Sequence, residues 1–356
     1  MNLTYKEMKQ QYTSLRKTFD YMSAKRDEIT TFFKKNTYES LTYIGCGSSL
    51  CLCQSAEMTA KVRLGIPSMA IAAGDLMLNH KDYGRLLEKT MIVALSRSGS
   101  TSEVLKAIEV TGSDNKIPVL AVTCIEDSPL EKISDFTLKL PWAFDESVCQ
   151  TRTIVNLYAA NLLIAAYLSG DSTLEKAIDK AIDAGDSYMT EYEKLLKPIA
   201  EESWANVVML ADGEMKGIAA EGALAMIEIA KIPGSFYHLL DVRHGPMVLV
   251  NKDVLVIACL NDKGFEYQKA LVNDIAARGA KIITYSSMPV EAIEGVSLHV
   301  TSNINMDNAV SGIPFIFIPQ AIACYRAAKD GINPDNPDGL TAWVRSEERR
   351  VGKECR

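Results

Sequence analysis

Met91-Ile-Val-Ala-Leu95 runs directly into Ser96-Arg-Ser-Gly-Ser-Thr101, and Glu103 opens the helical pattern that follows. A β-branched apolar run, a turn of small hydroxyl residues and an amphipathic stretch read together as strand, loop and helix. The same grammar occurs upstream, where Leu41-Thr-Tyr-Ile44 runs into Gly45-Cys-Gly-Ser-Ser49 and another helical stretch. Val119-Leu-Ala-Val-Thr123 and Phe136 to Leu140 supply two more short strands. Strands alternating with helices imply a parallel sheet covered on both faces.

Downstream the order repeats. Val207-Val-Met-Leu210 opens onto Ala-Asp-Gly213, Val254-Leu-Val-Ile257 onto Asn261-Asp-Lys-Gly264, and Ile282-Ile-Thr-Tyr285 follows. Corresponding strand ends are offset by about 165 residues in three cases, a constancy that points to two copies of one α/β domain. The expected division is a helical segment over 1–35, a first domain over 36–170, a helical linker over 171–198 and a second domain over 199–344. Residues up to about Phe33 read as one leading amphipathic helix. In the linker, Lys176, Lys180, Glu191 and Lys194 mark solvated faces. The charged end, 345–356, has no apolar period and is expected to be disordered and non-native.

Composition narrows the class of partner. The chain has 356 residues, nearly half of them hydrophobic, and its net charge of -7 comes from interspersed acids and bases. There is no basic footprint for nucleic acid, no apolar run of membrane-spanning length, and no signal peptide among the lysines and arginines of the first 30 residues. The eight cysteines sit mostly in apolar runs, as Cys124, Cys259 and Cys324 do, which suits free thiols in a reducing, cytoplasmic compartment. A small molecule is the expected partner.

The turn at Ser96–Thr101 offers four hydroxyls in six positions at the positive end of a helix dipole. Capping explains one of them, and a phosphate dianion explains the rest. Gly45-Cys-Gly-Ser-Ser49 is a second such turn, where Ser48 or Ser49 would add ligands. Leu50 stands where a dinucleotide fingerprint needs its third glycine, which argues against NAD or FAD. The corresponding turn of the second half, Asn261-Asp-Lys-Gly264, has lost the hydroxyls and gained an acid, so one phosphate site per chain is expected.

Glu221 and Glu228 lie seven apart on a helical stretch from Gly217 to Lys231, hence on one face. Glu228 sits among Met226, Ile227, Ile229 and Ala230, either on a solvated stripe or half-buried, and in the second case its pKa rises toward the range of a general base. Asp241-Val-Arg243-His244-Gly245-Pro246 then holds an imidazole at a sharp stop, suited to a proton shuttle. His80, His238, His244 and His299 have no metal-ligand spacing, and no metal or cofactor is expected.

Taken in order, Gly45-Cys-Gly-Ser-Ser49, Ser96-Arg-Ser-Gly-Ser-Thr101, Glu146 through Gln150-Thr-Arg152, Glu221-Gly-Ala through Glu228, and Arg243-His-Gly-Pro246 resemble the double sugar-isomerase (SIS) domain proteins. These are related to the isomerase half of glucosamine-6-phosphate synthase. The resemblance covers about Tyr43 to Val344. It implies two tandem SIS domains, each a flavodoxin-like parallel sheet with helices on both faces. It also implies a phosphosugar isomerase or amino-sugar phosphate deaminase that works at C1 and C2 without a cofactor.

By the same resemblance Ser49, Ser96, Ser98 and Thr101 hold the phosphate with Arg97 between them, and Cys149 lines the sugar. Glu221 and Arg243 join the binding set. Glu228 is the base, and His244 opens the sugar ring from a neighbouring subunit of a homodimer. Two departures stand out. The chain begins Met1-Asn2 with no cysteine nucleophile, so no glutaminase activity is expected. Ala342, within Pro337-Asp-Gly-Leu-Thr-Ala-Trp-Val344, stands where the synthase has its Schiff-base lysine. The alternatives are an Amadori-phosphate (fructosamine 6-phosphate) deglycase and a non-catalytic sugar-phosphate-binding regulator.

Overall fold

Ten strands build two five-stranded parallel sheets in the computed structural model, which describes residues 2–112 and 116–341. The first contains β1 (Ser40–Gly45), β2 (Ser68–Ala72), β3 (Thr90–Ser96), β4 (Val119–Thr123) and β5 (Phe136–Lys139). The second contains β6 (Asn206–Leu210), β7 (Gly234–Tyr237), β8 (Val254–Cys259), β9 (Lys281–Ser286) and β10 (Leu298–Thr301). The orders are β2-β1-β3-β4-β5 and, read in the same sense, β7-β6-β8-β9-β10. In each sheet the second strand in sequence takes one edge and the next three extend the other way. The chain thus reverses direction beside β1 and again beside β6, and at such points the carboxyl ends of the strands leave a crevice.

The central strands β3, β4 and β8 are buried along their whole length, which accounts for their unbroken apolar runs. Register is set by pairs such as Ile44 with Ala94 and Leu95 with Val122. The helix Arg152–Ser169, packed among its neighbouring helices, is buried continuously from Thr153 to Tyr167. A helix apolar all round is a core helix.

The leading segment is three helices, Leu3–Lys9, Gln11–Ala24 and Arg26–Lys35, where one was expected. At Gln10 and Lys25 ψ is 1°, too far from the helical value to carry the hydrogen-bond ladder through. The apolar period continues across both breaks, so Met8, Tyr12, Leu15, Met22, Ile29 and Phe33 are all buried. The segment 171–198 folds into the helices Ser172–Asp183 and Gly185–Ala200. Lys176, Lys180, Glu191 and Lys194 are exposed, while Leu174, Ile178, Tyr188 and Leu196 are core. Gly185 is the contact with Tyr12, where a Cβ would lie 2.0 Å from the ring.

Among the described residues no helix is long and apolar enough to cross a membrane. Ala342 and the charged end 345–356 lie outside the described residues.

Candidate functional site

A cavity of about 190 Å³ opens where the carboxyl ends of β1 and β3 meet a helix of the second half. Ser48, Ser49, Ser96, Arg97, Ser98, Thr101 and Glu228 line it, together with Cys46, Gly47, Leu95, Glu103, Gln150 and Thr341.

Local geometry shapes the hydroxyl loop. The Gly99 N–H donates to Ser96 Oγ (3.0 Å) and the Ser100 N–H to Ser98 Oγ (3.1 Å), so the turn closes on its own side chains. Gly99 has φ +58°, and a Cβ there would sit 2.4 Å from Ser128 Oγ. Both the backbone conformation and the space demand glycine. The helix Ser102–Gly112 starts immediately after the loop and turns its positive end to the cavity. The turn after β1 leads likewise into the helix Ser48–Thr59, and a Cβ on Gly45 would strike Ser49 at 2.8 Å.

Glu228 comes from the helix Lys216–Ala230, which belongs to the second half yet packs on Ser48–Thr59 of the first. Gly217 makes that approach possible, since a Cβ there would lie 2.0 Å from the Cys51 carbonyl oxygen and 2.5 Å from Ser55 N. The Ile218 N–H closes the contact by donating to Ser55 Oγ (3.0 Å). Arg63 adds a second clasp between the halves, with Nε 2.7 Å and Nη2 2.9 Å from the two oxygens of Glu214.

Burial raises the Glu228 carboxyl to about 7, against the partial opposition of the Arg97 charge. Glu221, two turns earlier, is fully buried and outside the cavity lining. Burial, and then the charge of Glu228, push its carboxyl well above the usual range, and the Ser48 hydroxyl offsets this only in part. Arg97 itself is buried. Its Nη1 donates to the carbonyls of Ser147 (2.9 Å) and Asp145 (3.3 Å), and its guanidinium lies 5.7 Å from the Phe144 ring centre. The arginine therefore ties the hydroxyl loop to the segment after β5.

That segment carries Cys149 and Gln150. Cys149 is buried beside the cavity without lining it, and burial, then Glu228, push its thiol up. Arg243 and His244 are also absent from the lining. Arg243 pairs with Asp274 (2.6 Å), and the exposed His244 precedes Gly245 at φ +125°.

Sequence reasoning passed over Gln150, Glu103 and Thr341 as cavity residues. Glu103 Oε2 and Gln150 Oε1 are buried acceptors with no hydrogen-bond partner among the described residues. Among those residues no group of three or more His, Cys, Asp or Glu is placed to hold a metal ion.

Two flavodoxin-like sheets in tandem, with a hydroxyl loop in the first facing a carboxylate from the second, define the class. Residues 37–167, in the first half of the chain, match the SIS domain. The chain is 27% identical over 347 residues to the glutamine--fructose-6-phosphate aminotransferase [isomerizing] of Sulfurisphaera tokodaii, a match covering 96% of this chain and 56% of that one. The chain spans about half the length of the curated relatives it matches. In three dimensions it resembles tagatose-6-phosphate ketose/aldose isomerase from Escherichia coli (TM-score 0.83, 19% identity, 98% and 97% of the two chains covered). It also resembles glucosamine-6-phosphate deaminase from Thermotoga maritima (TM-score 0.75, 24% identity, 92% and 99% covered).

Proposed function

We propose that the chain is a phosphosugar isomerase or amino-sugar phosphate deaminase-isomerase acting on a hexose or amino-sugar 6-phosphate. One observation carries the reading: a carboxylate with a pKa of about 7 opens into the same small cavity as a loop of phosphate-suited hydroxyls. A general base works best when its pKa lies near the working pH. The relative and the two structural neighbours are named for aminotransfer to fructose 6-phosphate, ketose/aldose isomerisation of tagatose 6-phosphate and deamination of glucosamine 6-phosphate, all acting on sugar 6-phosphates.

In the proposed reaction Ser49, Ser96, Ser98 and Thr101 receive the phosphate at the positive ends of two helices. Remote binding energy then fixes C1 and C2 against Glu228. The carboxylate takes the C2 hydrogen of the open-chain aldose as a proton. The electron pair left behind forms the C1–C2 double bond of an enediolate, with negative charge on O1. Return of that proton to C1, and passage of the O2 hydroxyl proton to O1, gives the ketose. His244 opens the ring from a second subunit of a homodimer, a role its exposure in the single chain allows. Cytoplasmic sugar-phosphate metabolism is the setting we infer.

The test is incubation with hexose 6-phosphates and hexosamine 6-phosphates, reading aldose–ketose exchange and ammonia release. Turnover of at least one is expected. A phosphosugar panel that binds with neither turnover nor hydrogen exchange would overturn the proposal in favour of a sensor.

A further inference from the structure

Glu7 stands on the helix Leu3–Lys9, outside the residues that match the SIS domain, and yet its carboxylate is almost completely buried. It reaches 139 residues along the chain to the segment after β5. There it accepts from the Glu146 N–H (2.7 Å), the Ser147 N–H (3.3 Å) and the Ser147 hydroxyl. The same stretch of backbone turns its carbonyls the other way. Those of Asp145 and Ser147 are the acceptors that hold Arg97 Nη1. One carboxylate and one guanidinium thus grip opposite sides of a three-residue segment, and the guanidinium belongs to the cavity.

The helix carrying Glu7 is itself anchored at its start. Asp335 accepts from the Leu3 N–H (2.8 Å), the Thr4 N–H (2.7 Å) and the Thr4 hydroxyl (2.8 Å), while the Asp335 carbonyl accepts from the Val148 N–H (3.0 Å). Gln150 and Thr341, both on the cavity, lie close in sequence to these anchors. Burial makes the Glu7 carboxyl costly to ionise and the donors from Ser147 and Glu146 offset that only in part, so its presence beneath this segment calls for a reason beyond helix packing.

We propose that Glu7 is a positioning residue of the site: by fixing the peptide groups of Glu146 and Ser147, it sets the carbonyls that aim Arg97 at the cavity and at Glu228. Arg97 is the cation that favours ionisation of Glu228, so its placement governs how much base is available near neutral pH. The other titratable groups around these two carboxylates are Asp145 and Arg152 beside Glu7, and Glu221, Cys51 and Cys149 beside Glu228. Asp145 belongs to the path through its carbonyl and adds its charge beside Arg97, while the side chains of the others lie outside the path.

The inference rests on the reading of Glu228 as the base, and the test separates the two. The Glu228 carboxyl is titrated by ¹³C NMR in the full chain labelled at glutamate, its signal assigned by loss in Glu228→Gln. The pH profile of substrate hydrogen exchange is measured in parallel. Glu7→Gln keeps the shape and loses one acceptor. The expected result is a Glu228 midpoint raised by about one pH unit, the size of effect a displaced neighbouring charge produces. Exchange at pH 6 should then be slowed roughly tenfold with KM changed less than about twofold. Glu7→Asp should restore part of the shift. If Glu7→Gln does not fold, Ser147→Ala removes one of the three bonds to Glu7 and should move the midpoint in the same direction by less. A folded variant with an unmoved midpoint would overturn the proposal. A moved NMR midpoint with an unmoved exchange profile would uphold the positioning and remove Glu228 from the role of base.

Discussion

The two sheets have the same strand order, and their crevices differ in what the loops leave available. After β3 the first half presents Ser96, Ser98 and Thr101 to a cavity; after β8 the second half presents Asn261 and Asp262 to a cavity of about 280 Å³. In that second hollow Asn261 and Ser286 are engaged with neighbouring groups. Gln268 bonds Asn261 through both its oxygen and its nitrogen, and the Ser286 hydroxyl donates to the Met288 carbonyl (2.6 Å). Repetition of a fold therefore did not repeat a site. The first copy supplies the anion loop, and the second supplies a helix, Lys216–Ala230, that crosses to it.

The difference is sharpest at the hydroxyls. Ser98→Ala with Thr101→Ala should weaken binding of a sugar 6-phosphate by about 3–6 kcal/mol, the loss of two hydrogen bonds to a charged group. Calorimetric titration measures it, and an unchanged Kd would place the anion elsewhere.

The crossing helix depends on Gly217. Gly217→Ala forces a methyl against the Cys51 carbonyl and should destabilise the fold by about 1–3 kcal/mol, read by denaturant unfolding. A neutral result would mean that the two halves are not held at that contact.

Glu228 should impose two opposite pH dependences. Substrate turnover needs the carboxylate, so kcat/KM should fall about tenfold per pH unit below about 7 as the group protonates. Stability runs the other way. The raised native value means that between the ordinary carboxylate range and about 7 the unfolded chain ionises first, so stability is fully present at low pH and is lost as pH rises through about 7. Glu228→Gln should accordingly raise Tm at pH 8 and leave it unchanged at pH 4. Equal Tm shifts at both pH values would contradict the burial of this group.

The smallest expected effect is in the other crevice. Asp262→Asn should change phosphosugar affinity by less than about twofold, since no hydroxyl loop accompanies it. A large gain in affinity there would reveal a second anion site that repulsion had masked.

Seven of the ten strands are legible in the sequence as β-branched runs. The three that are not, β2, β7 and β10, are all edge strands. Ser68-Met-Ala-Ile-Ala72 and Gly234-Ser-Phe-Tyr237 carry small or polar residues because one flank has no neighbour to pack against. The hydroxyl loop is legible because its chemistry is contiguous, and Glu228 because a helical period isolates it among apolar residues. Gln150, Glu103 and Thr341 reach the cavity from three separate segments, and Glu7 acts through a contact 139 residues away. Glu103, two residues past the loop, Gln150, within the Glu146 to Arg152 motif, and Thr341, within Pro337 to Val344, stand in local patterns whose cavity role only the tertiary fold reveals, and Glu7 stands in none. His244 is readable as a motif, yet in the single chain it does not line the cavity.

The central claim is that Glu228, carried from the second half, moves the proton at a sugar held by the first. Its most direct test is exchange of the substrate's C1 or C2 hydrogen with deuterated water, followed by NMR in the parent and in Glu228→Gln. The account predicts exchange in the parent and a rate at least about 10²-fold lower in the variant, with Kd for a substrate analogue unchanged. Undiminished exchange in Glu228→Gln would contradict it.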